Sequence, residues 1–444
     1  MTQLPAAFTD YTRQLMGDER FERYLQSFEE EPPVSIRLNP KKVEGEKWKV
    51  EGGEPVPWCR NAFYLKSRPC FTMDPLFHAG CYYVQEAASM FLDEVLRQQM
   101  VNSKPSNSKS SNCKSSNSKS SNSKSSNSKL SNSKCLDLCA APGGKSTLLR
   151  SALPADCVLY SNEPIRNRAS ILLENVTKWG YDNHLVTSVY PKVYRRSKLC
   201  FDVILCDVPC SGEGMFRKDP ATIHEWSPQN VEKCWQLQRD IVADAWPCLN
   251  PGGLLIYSTC TFNTKENEEN IRWILDEFDD AEVVPLDVQP EWNITGSLLP
   301  GFQEPVYRFI PGISRGEGLF MCVLRKRGEE ILPPEGRSLS RHEVRGKKND
   351  LRQAQDLNIL SAPASPPASP RVNLSYPQAM AYLRHEALVL PADTPRGIVE
   401  VCFMGHPLGL AKNIGNRANN LYPKEWKIKT THIPNDYEAI LRHT

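Results

Sequence analysis

Cys135-Leu136-Asp137-Leu138-Cys139-Ala140-Ala141-Pro142-Gly143-Gly144-Lys145 is the stretch on which the reading of this chain turns. Its first half is an apolar run of strand character. Pro142 and the two glycines then force a turn, and Lys145-Ser146 opens a segment of helical spacing. Strand, glycine turn and helix start are the arrangement that holds an adenosine-bearing ligand on a doubly wound sheet. The rhythm continues downstream. Strands are predicted over 158–162, 185–189 and 201–206, with a helix over 166–179 stopped by Gly180. Ser227-Pro228 reads as the cap and first position of a helix ending near Trp246, after which Pro251-Gly252-Gly253 turns the chain into a strand over 254–258. Asn263 with Glu266 three residues on reads as a capping box opening another helix. An α/β class follows: a Rossmann-like doubly wound sheet, expected to be parallel with helices on both faces.

Length and composition set the bounds. With 444 residues, 40% hydrophobic and 24% charged, the chain suffices for a large core spread over two or three domains. The 15 cysteines are an odd set without a CxxC pair, and Met1-Thr2-Gln3-Leu4-Pro5-Ala6-Ala7 lacks the basic start and apolar run of a signal peptide. A reducing, cytoplasmic setting is expected, with no metal. No apolar stretch approaches the roughly 18 residues that a membrane span requires, so no membrane partner is expected either.

Residues 101–134 repeat a unit close to Ser-Asn-Ser-Lys-Ser, with no acidic and almost no apolar side chains. Such a segment cannot build a core and reads as a disordered insertion. It carries seven lysines, which leaves 47 basic against 52 acidic groups in the rest of the chain. Overall charge therefore gives no argument for nucleic-acid binding, and any such surface must come from local basic patches.

Two further segments carry chemistry. Asp207-Val208-Pro209-Cys210-Ser211-Gly212-Glu213-Gly214 and Ser258-Thr259-Cys260-Thr261 each close a strand-like run, at the strand ends where open α/β sheets place their ligands. Two aligned thiols suggest covalent group transfer. Cysteine is also a frequent core filler, and most of the others read as that. The glycine loop has a rival explanation, because Gly144-Lys145-Ser146 is one glycine short of a phosphate-binding P-loop, and Phe201-Asp202-Val203-Ile204-Leu205-Cys206-Asp207 passes for its magnesium strand. Against that, Cys139 stands where the first glycine belongs, and Pro142 removes an amide donor from the cradle. Glu163 ends the second strand twenty residues after Gly143, where a carboxylate reaches both ribose hydroxyls of a nucleoside. A ribose carboxylate with only a short glycine turn suits a cofactor without a triphosphate: S-adenosylmethionine.

Cys139-Ala140-Ala141-Pro142-Gly143-Gly144-Lys145, Asp207-Val208-Pro209-Cys210-Ser211-Gly212-Glu213-Gly214 and Ser258-Thr259-Cys260-Thr261-Phe262-Asn263, in that order, resemble the motifs of the RNA cytosine-5 methyltransferases of the NOL1/NOP2/Sun family. The likeness is greatest to the bacterial members that methylate 16S ribosomal RNA and carry a C-terminal PUA-like domain. The resemblance implies methyl transfer from S-adenosylmethionine to carbon 5 of a cytosine, through an adduct between Cys260 and the ring. It implies Asp207 beside ring nitrogen 3 and the cofactor, and Cys210 assisting release. Residues 139–145, with Glu163, would hold the cofactor, Arg168 would buttress the loop, and Lys145 is a plausible source of positive charge for the Cys260 thiolate. The family has an aspartate where this chain has Tyr190, so a rearranged adenine contact is expected there.

The implied domains are an N-terminal α+β domain over 1–84, containing Ser35-Ile36-Arg37-Leu38-Asn39-Pro40, and the methyltransferase domain over 85–330. A linker follows over 331–375, and then a PUA-like β-rich domain over 376–444. Arg217 and Lys218 are candidate phosphate contacts. The implied partner is single-stranded or loop RNA, most naturally ribosomal RNA or a ribosomal subunit, because the target base must leave its stack. A ribosome-assembly factor without turnover, built on the same scaffold, is the alternative from another class.

Overall fold

The structure is a computed structural model that describes residues 3–43, 48–101, 130–328, 357–360, 369–430 and 437–443. Most of the repeat expected to be disordered, and most of the expected linker, lie outside the described residues. Two N-terminal helices, Ala6–Met16 and Asp18–Gln26, precede a small antiparallel sheet. Its strands are β1 (Val34–Leu38), β3 (Glu54–Pro55), β4 (Ala62–Leu65) and β5 (Tyr82–Val84), in the order β3-β4-β1-β5, while β2 (Trp48–Val50) pairs elsewhere.

The central sheet follows: β6 (Lys134–Asp137), β7 (Val158–Asn162), β8 (His184–Thr187), β9 (Phe201–Asp207), β10 (Leu249–Thr259), β11 (Ala281–Val283), β12 (Tyr307–Phe309), β13 (Leu319–Lys326) and β14 (Ile359–Leu360). The path is β11-β13-β10-β9-β6-β7-β8-β14, with β12 on β13. The C-terminal sheet is β15 (Arg371–Asn373), β16 (Gly397–Phe403), β17 (His406–Asn413) and β18 (Ala418–Asn420), while β19 (Leu441–His443) returns to pair with β2.

Local signals explain the boundaries. The helix Arg166–Trp179 ends on Gly180 in the left-handed region at φ 75, and the helix Pro228–Ala245 begins where Ser227 Oγ accepts the Asn230 amide. Three expectations need correction. The sheet is mixed rather than parallel: β6 to β10 run parallel, but β13 pairs antiparallel with β10, and β11, β12 and β14 are antiparallel too. A buried apolar run such as Leu319–Lys326 carries no information about its direction.

Second, the expected linker contributes β14, with Leu357 buried and the Ser188 amide donating to Asn358 O; the C-terminal sheet begins at Arg371, ahead of position 376. Third, the Asn263–Glu266 pair closes a turn instead of a helix. The Glu266 amide does donate to Asn263 Oδ1, yet the helix starts only at Glu268, because the two side chains are engaged across the site.

The core lies on both faces of the central sheet: Leu136, Ile204 and Leu255 on one, Cys135, Val203, Leu205 and Ile256 on the other. These interdigitated apolar side chains supply most of the driving force that holds the strand ends in register. Among the described residues, no helix is long and apolar enough to cross a membrane. None of their His, Cys, Asp and Glu side chains group in threes able to hold a metal ion.

Candidate active site

The site forms at the carboxyl ends of β6, β7, β9 and β10. Gly143, at φ 117, caps the helix Gly144–Ala152 from the left-handed region, and a Cβ there would stand 3.2 Å from Leu172 Cδ1. Only glycine suits both conditions. The loop before it is tied down: the Ala140 amide donates to Asn162 O at 2.8 Å, and Asn175 Nδ2 donates to Pro142 O at 2.8 Å. The Cys139 thiol packs against the core, where burial pushes its pKa well up.

Glu163 is buried at the end of β7, where it accepts the Ile165 amide and pairs with Arg168 Nη1 at 3.2 Å. Arg168 Nη2 also donates to Ala141 O, so one guanidinium joins the carboxylate to the loop. Lys145 does not point into an empty phosphate cradle. Its Nζ donates to Asp207 Oδ2 at 2.8 Å, and Ser258 Oγ donates to Asp207 Oδ1 at 2.7 Å. Burial pulls the Lys145 pKa down, but the Asp207 carboxylate outweighs it and the net shift is upward.

Lys145 and Arg168 are thus each matched to a carboxylate. The Lys145 ammonium that a P-loop would turn to phosphate is already engaged by Asp207, and Glu163 is a carboxylate at the end of β7, the place from which a ribose diol is held, so the residues present fit an adenosyl cofactor better than a nucleoside triphosphate. Beneath the loop, Asp137 is fully buried, and Ser146 Oγ donates to its Oδ2 at 2.6 Å. Burial lifts its pKa to about 7.

The two thiols meet. Cys210 Sγ lies 3.1 Å from Cys260 Sγ, and the Cys260 amide points at Cys210 Sγ at 3.2 Å. The hydrogen bond to Cys260, followed by burial, pushes the Cys210 pKa well above its ordinary value. Lys145 lies near enough for its charge to act on Cys260. The close approach depends on Gly214, whose Cβ would stand 2.5 Å from Gly318 Cα and 2.8 Å from Cys260 O. The Gly214 amide instead donates to Cys260 O at 2.8 Å.

Sequence reasoning missed the carboxylates around this pair. Glu213, three residues after Cys210, accepts the Phe262 and Asn263 amides at 2.8 and 2.9 Å, Asn263 Nδ2 at 3.1 Å and Trp226 Nε1 at 3.0 Å. Glu266, six residues after Cys260, accepts the Ser211 amide at 3.0 Å, Gln238 Nε2 at 2.6 Å and Asn263 Nδ2 at 2.7 Å. The available signal was an acid shortly after each cysteine. It went unread because its meaning depends on contacts about fifty residues apart.

One other expectation changes. Arg217 is no phosphate contact: it is buried in an ion pair with Glu317 at 2.8 Å, while Lys218 remains exposed. Tyr190 is 65% exposed and precedes the helix Pro191–Ser197.

The family described as 16S rRNA methyltransferase RsmB/F matches residues 128–325. The N-terminal domain of 16S rRNA methyltransferase RsmF matches 4–87, and the methyltransferase RsmF PUA domain matches 369–428. Ribosomal RNA small subunit methyltransferase F of Erwinia tasmaniensis is 26% identical over 95% of this chain and 96% of its own. A methyltransferase homolog protein from Pyrococcus horikoshii is 27% identical with TM-score 0.55, covering 72% of this chain and 94% of that one. NSun6 from Pyrococcus horikoshii, solved with SFG, shares the fold at TM-score 0.56 and 18% identity, covering 74% of this chain and 100% of that one. With matching N-terminal, catalytic and PUA domains in the same order, this chain belongs to the 16S rRNA methyltransferase RsmB/F family.

Proposed function

We propose that this protein transfers a methyl group from S-adenosylmethionine to carbon 5 of a cytosine in ribosomal RNA, with 16S RNA the natural acceptor, through a covalent Cys260–cytosine adduct. The observation that carries the reading is the meeting of Cys210 and Cys260 beside Asp207 and Lys145, at the strand ends next to the glycine loop. S-adenosylmethionine held by 139–145 and Glu163 would supply the activated methyl; SFG, named in the NSun6 structure, is an analogue of it.

Carbon 5 of cytosine is too weak a nucleophile to accept the methyl unaided. The Cys260 thiolate adds to carbon 6, and the ring becomes an enamine whose carbon 5 attacks the methyl. Negative charge arriving on the pyrimidine is relieved by a proton passed to nitrogen 3 through Asp207, and the Lys145 ammonium, 2.8 Å behind it, is the source of that proton. Removal of the carbon 5 proton then lets the ring expel Cys260 as thiolate. Cys210, in contact with Cys260 Sγ and held as a thiol, is placed to give its proton to the departing thiolate. The N-terminal domain over 1–84 and the PUA-type domain are read as RNA-binding modules flanking this cleft, in a cytoplasmic protein.

The test is methyl transfer from labelled cofactor to ribosomal RNA, paired with denaturing gels for protein–RNA adducts. Cys210→Ala is expected to accumulate adduct and Cys260→Ala to form none. Equal adduct from both would overturn the division of roles. A wild type that labels no RNA would favour the non-catalytic assembly factor.

A further inference from the structure

Each cysteine loop carries the carboxylate that holds the other loop. Glu213 follows Cys210, yet it accepts the two amides just beyond Cys260. Glu266 follows Cys260, yet it accepts the amide just beyond Cys210 and, through Gln238, is linked to Pro209 O on the other side of that cysteine. Asn263 Nδ2 stands between, donating to Glu213 Oε1 and Glu266 Oε1. Both carboxylates are buried, and among the described residues their hydrogen-bond donors are all neutral. Burying two carboxylates this close together, without a cation, is costly and pointless for a loop that merely needs closing, since a pair of amides would do that at lower desolvation cost.

We propose that Glu213, Asn263 and Glu266 are positioning residues that form a reciprocal brace between the two cysteine loops, fixing the distance between the thiols and keeping Cys210 protonated while Cys260 serves as nucleophile. The inference rests on the reading of Cys260 and Cys210 given above. Its physics is twofold. Geometrically, a carboxylate offers two oxygens and no hydrogen, so it can take several N–H groups at once; an amide in its place must point an NH2 at one of those donors. Electrostatically, the hydrogen bond to Cys260, then burial and the Cys260 charge, raise the Cys210 thiol most, and negative charge at Glu266 adds to them, although burial and Glu213 raise the Glu266 carboxyl itself. Without that asymmetry two thiols in contact would compete for the same proton, and either could attack the ring. The Cys260 side of the brace is anchored further: Arg308, ion-paired to Glu268 in the core, donates to Phe262 O at 2.8 Å.

Glu266→Gln and Glu213→Gln test this with little change of shape. Both are expected to fold, to keep the cofactor Kd within about twofold, since the cofactor loop lies outside the brace, and to lose about 10- to 100-fold in kcat, the scale set by sub-ångström misplacement of reacting groups. The distinguishing readout is alkylation of each cysteine by iodoacetamide against pH, followed by mass spectrometry. In Glu266→Gln the Cys210 profile shifts to lower pH. Cys206, fully buried four residues away, is the control for general loosening and stays unreactive. Glu266→Asp, which restores the charge at shorter reach, recovers the Cys210 profile in part.

The brace is overturned if Cys210 alkylation is unchanged in Glu266→Gln, or if Cys206 becomes reactive in parallel with it. Failure of the functional reading looks different, as wild-type protein that methylates no RNA, and the alkylation arm stands independently of it.

Discussion

The central sheet carries two thiol pairs, one at each end, and they make a controlled comparison. Cys210 and Cys260 touch at 3.1 Å at the carboxyl ends of β9 and β10; Cys135 and Cys157 lie 3.5 Å apart near the amino ends of β6 and β7. The atoms and nearly the spacing are the same, but the surroundings differ. The second pair is fully buried with the Ser133 hydroxyl for company, and its hydrogen bond together with burial pushes Cys135 well up. The first pair sits on loops, partly open, with Lys145 and two carboxylates around it. Proximity of sulfur atoms is thus not chemistry by itself. On the proposed mechanism, what sets the first pair apart is the strand end it occupies, since helix starts and loops gather at the carboxyl side, where open α/β sheets bind their ligands.

The sharpest way to break the comparison is to remove one sulfur from each end. Cys260→Ala is expected to abolish methyl transfer, a loss of about a thousandfold or more, because on the proposed mechanism Cys260 makes the bond to the ring while Cys210 is held as a thiol. Cys135→Ala is expected to leave kcat within about twofold while lowering unfolding stability by about 1 kcal/mol. Turnover by Cys260→Ala, or its loss in Cys135→Ala, would erase the distinction.

Next in size is the contact that lets the reactive pair meet. A methyl at Gly214 is driven against Gly318 Cα at 2.5 Å, so Gly214→Ala is expected to force the loops apart and reduce kcat by about 100-fold. Gly212, two residues earlier at φ 77, has open space around its Cβ position. Its alanine variant should cost only about 1 kcal/mol of backbone strain, measured by chemical denaturation.

Which of these features a reader of the bare sequence can see follows from the range of the interactions. The strands at 158–162 and 201–206, the cap at Ser227 and the stop at Gly180 rest on neighbours within a few residues, and all are legible. That Cys260, Cys210 and Asp207 gather at the strand ends is legible, because motif order places each just after a strand-like run. β14 is not, since a short polar-flanked segment pairs with β8 only once the edge of that strand exists. Arg217 looked like a phosphate contact because Glu317, a hundred residues on, is what buries it. The brace is invisible for the same reason: Glu213 and Glu266 are ordinary acids until the loops are brought together.

The two ends of β6 sharpen the contrast through pH. Cys135 at one end and Asp137 two residues on both face the interior, but only Asp137 titrates in a working range, at about 7 where its ordinary value is 3.8. The folded state therefore binds that proton more tightly than the unfolded chain. The contribution to stability is full at acid pH and is lost as pH rises from about 4 through 7. Asp137→Asn is expected to remove this slope, so that its melting temperature relative to wild type improves between pH 5 and pH 8. A difference independent of pH would mean that the carboxyl group is ionised throughout.

The smallest effect expected belongs to Arg168, about half exposed, whose ion pair with Glu163 is screened by water. Arg168→Ala removes the link from Glu163 to Ala141 O, and it should weaken cofactor binding only about threefold, with kcat unchanged. Its counterpart at the amino end is Arg150, fully buried and donating to Cys157 O at 2.5 Å and Leu153 O at 3.1 Å. Arg150→Lys touches no loop of the site and should leave the cofactor Kd unchanged by calorimetry. If instead the buried arginine controlled cofactor affinity and the exposed one did not, the two ends of the sheet would be mechanically coupled. The division of labour drawn from the thiol pairs would then have to give way to a sheet that transmits strain along its strands.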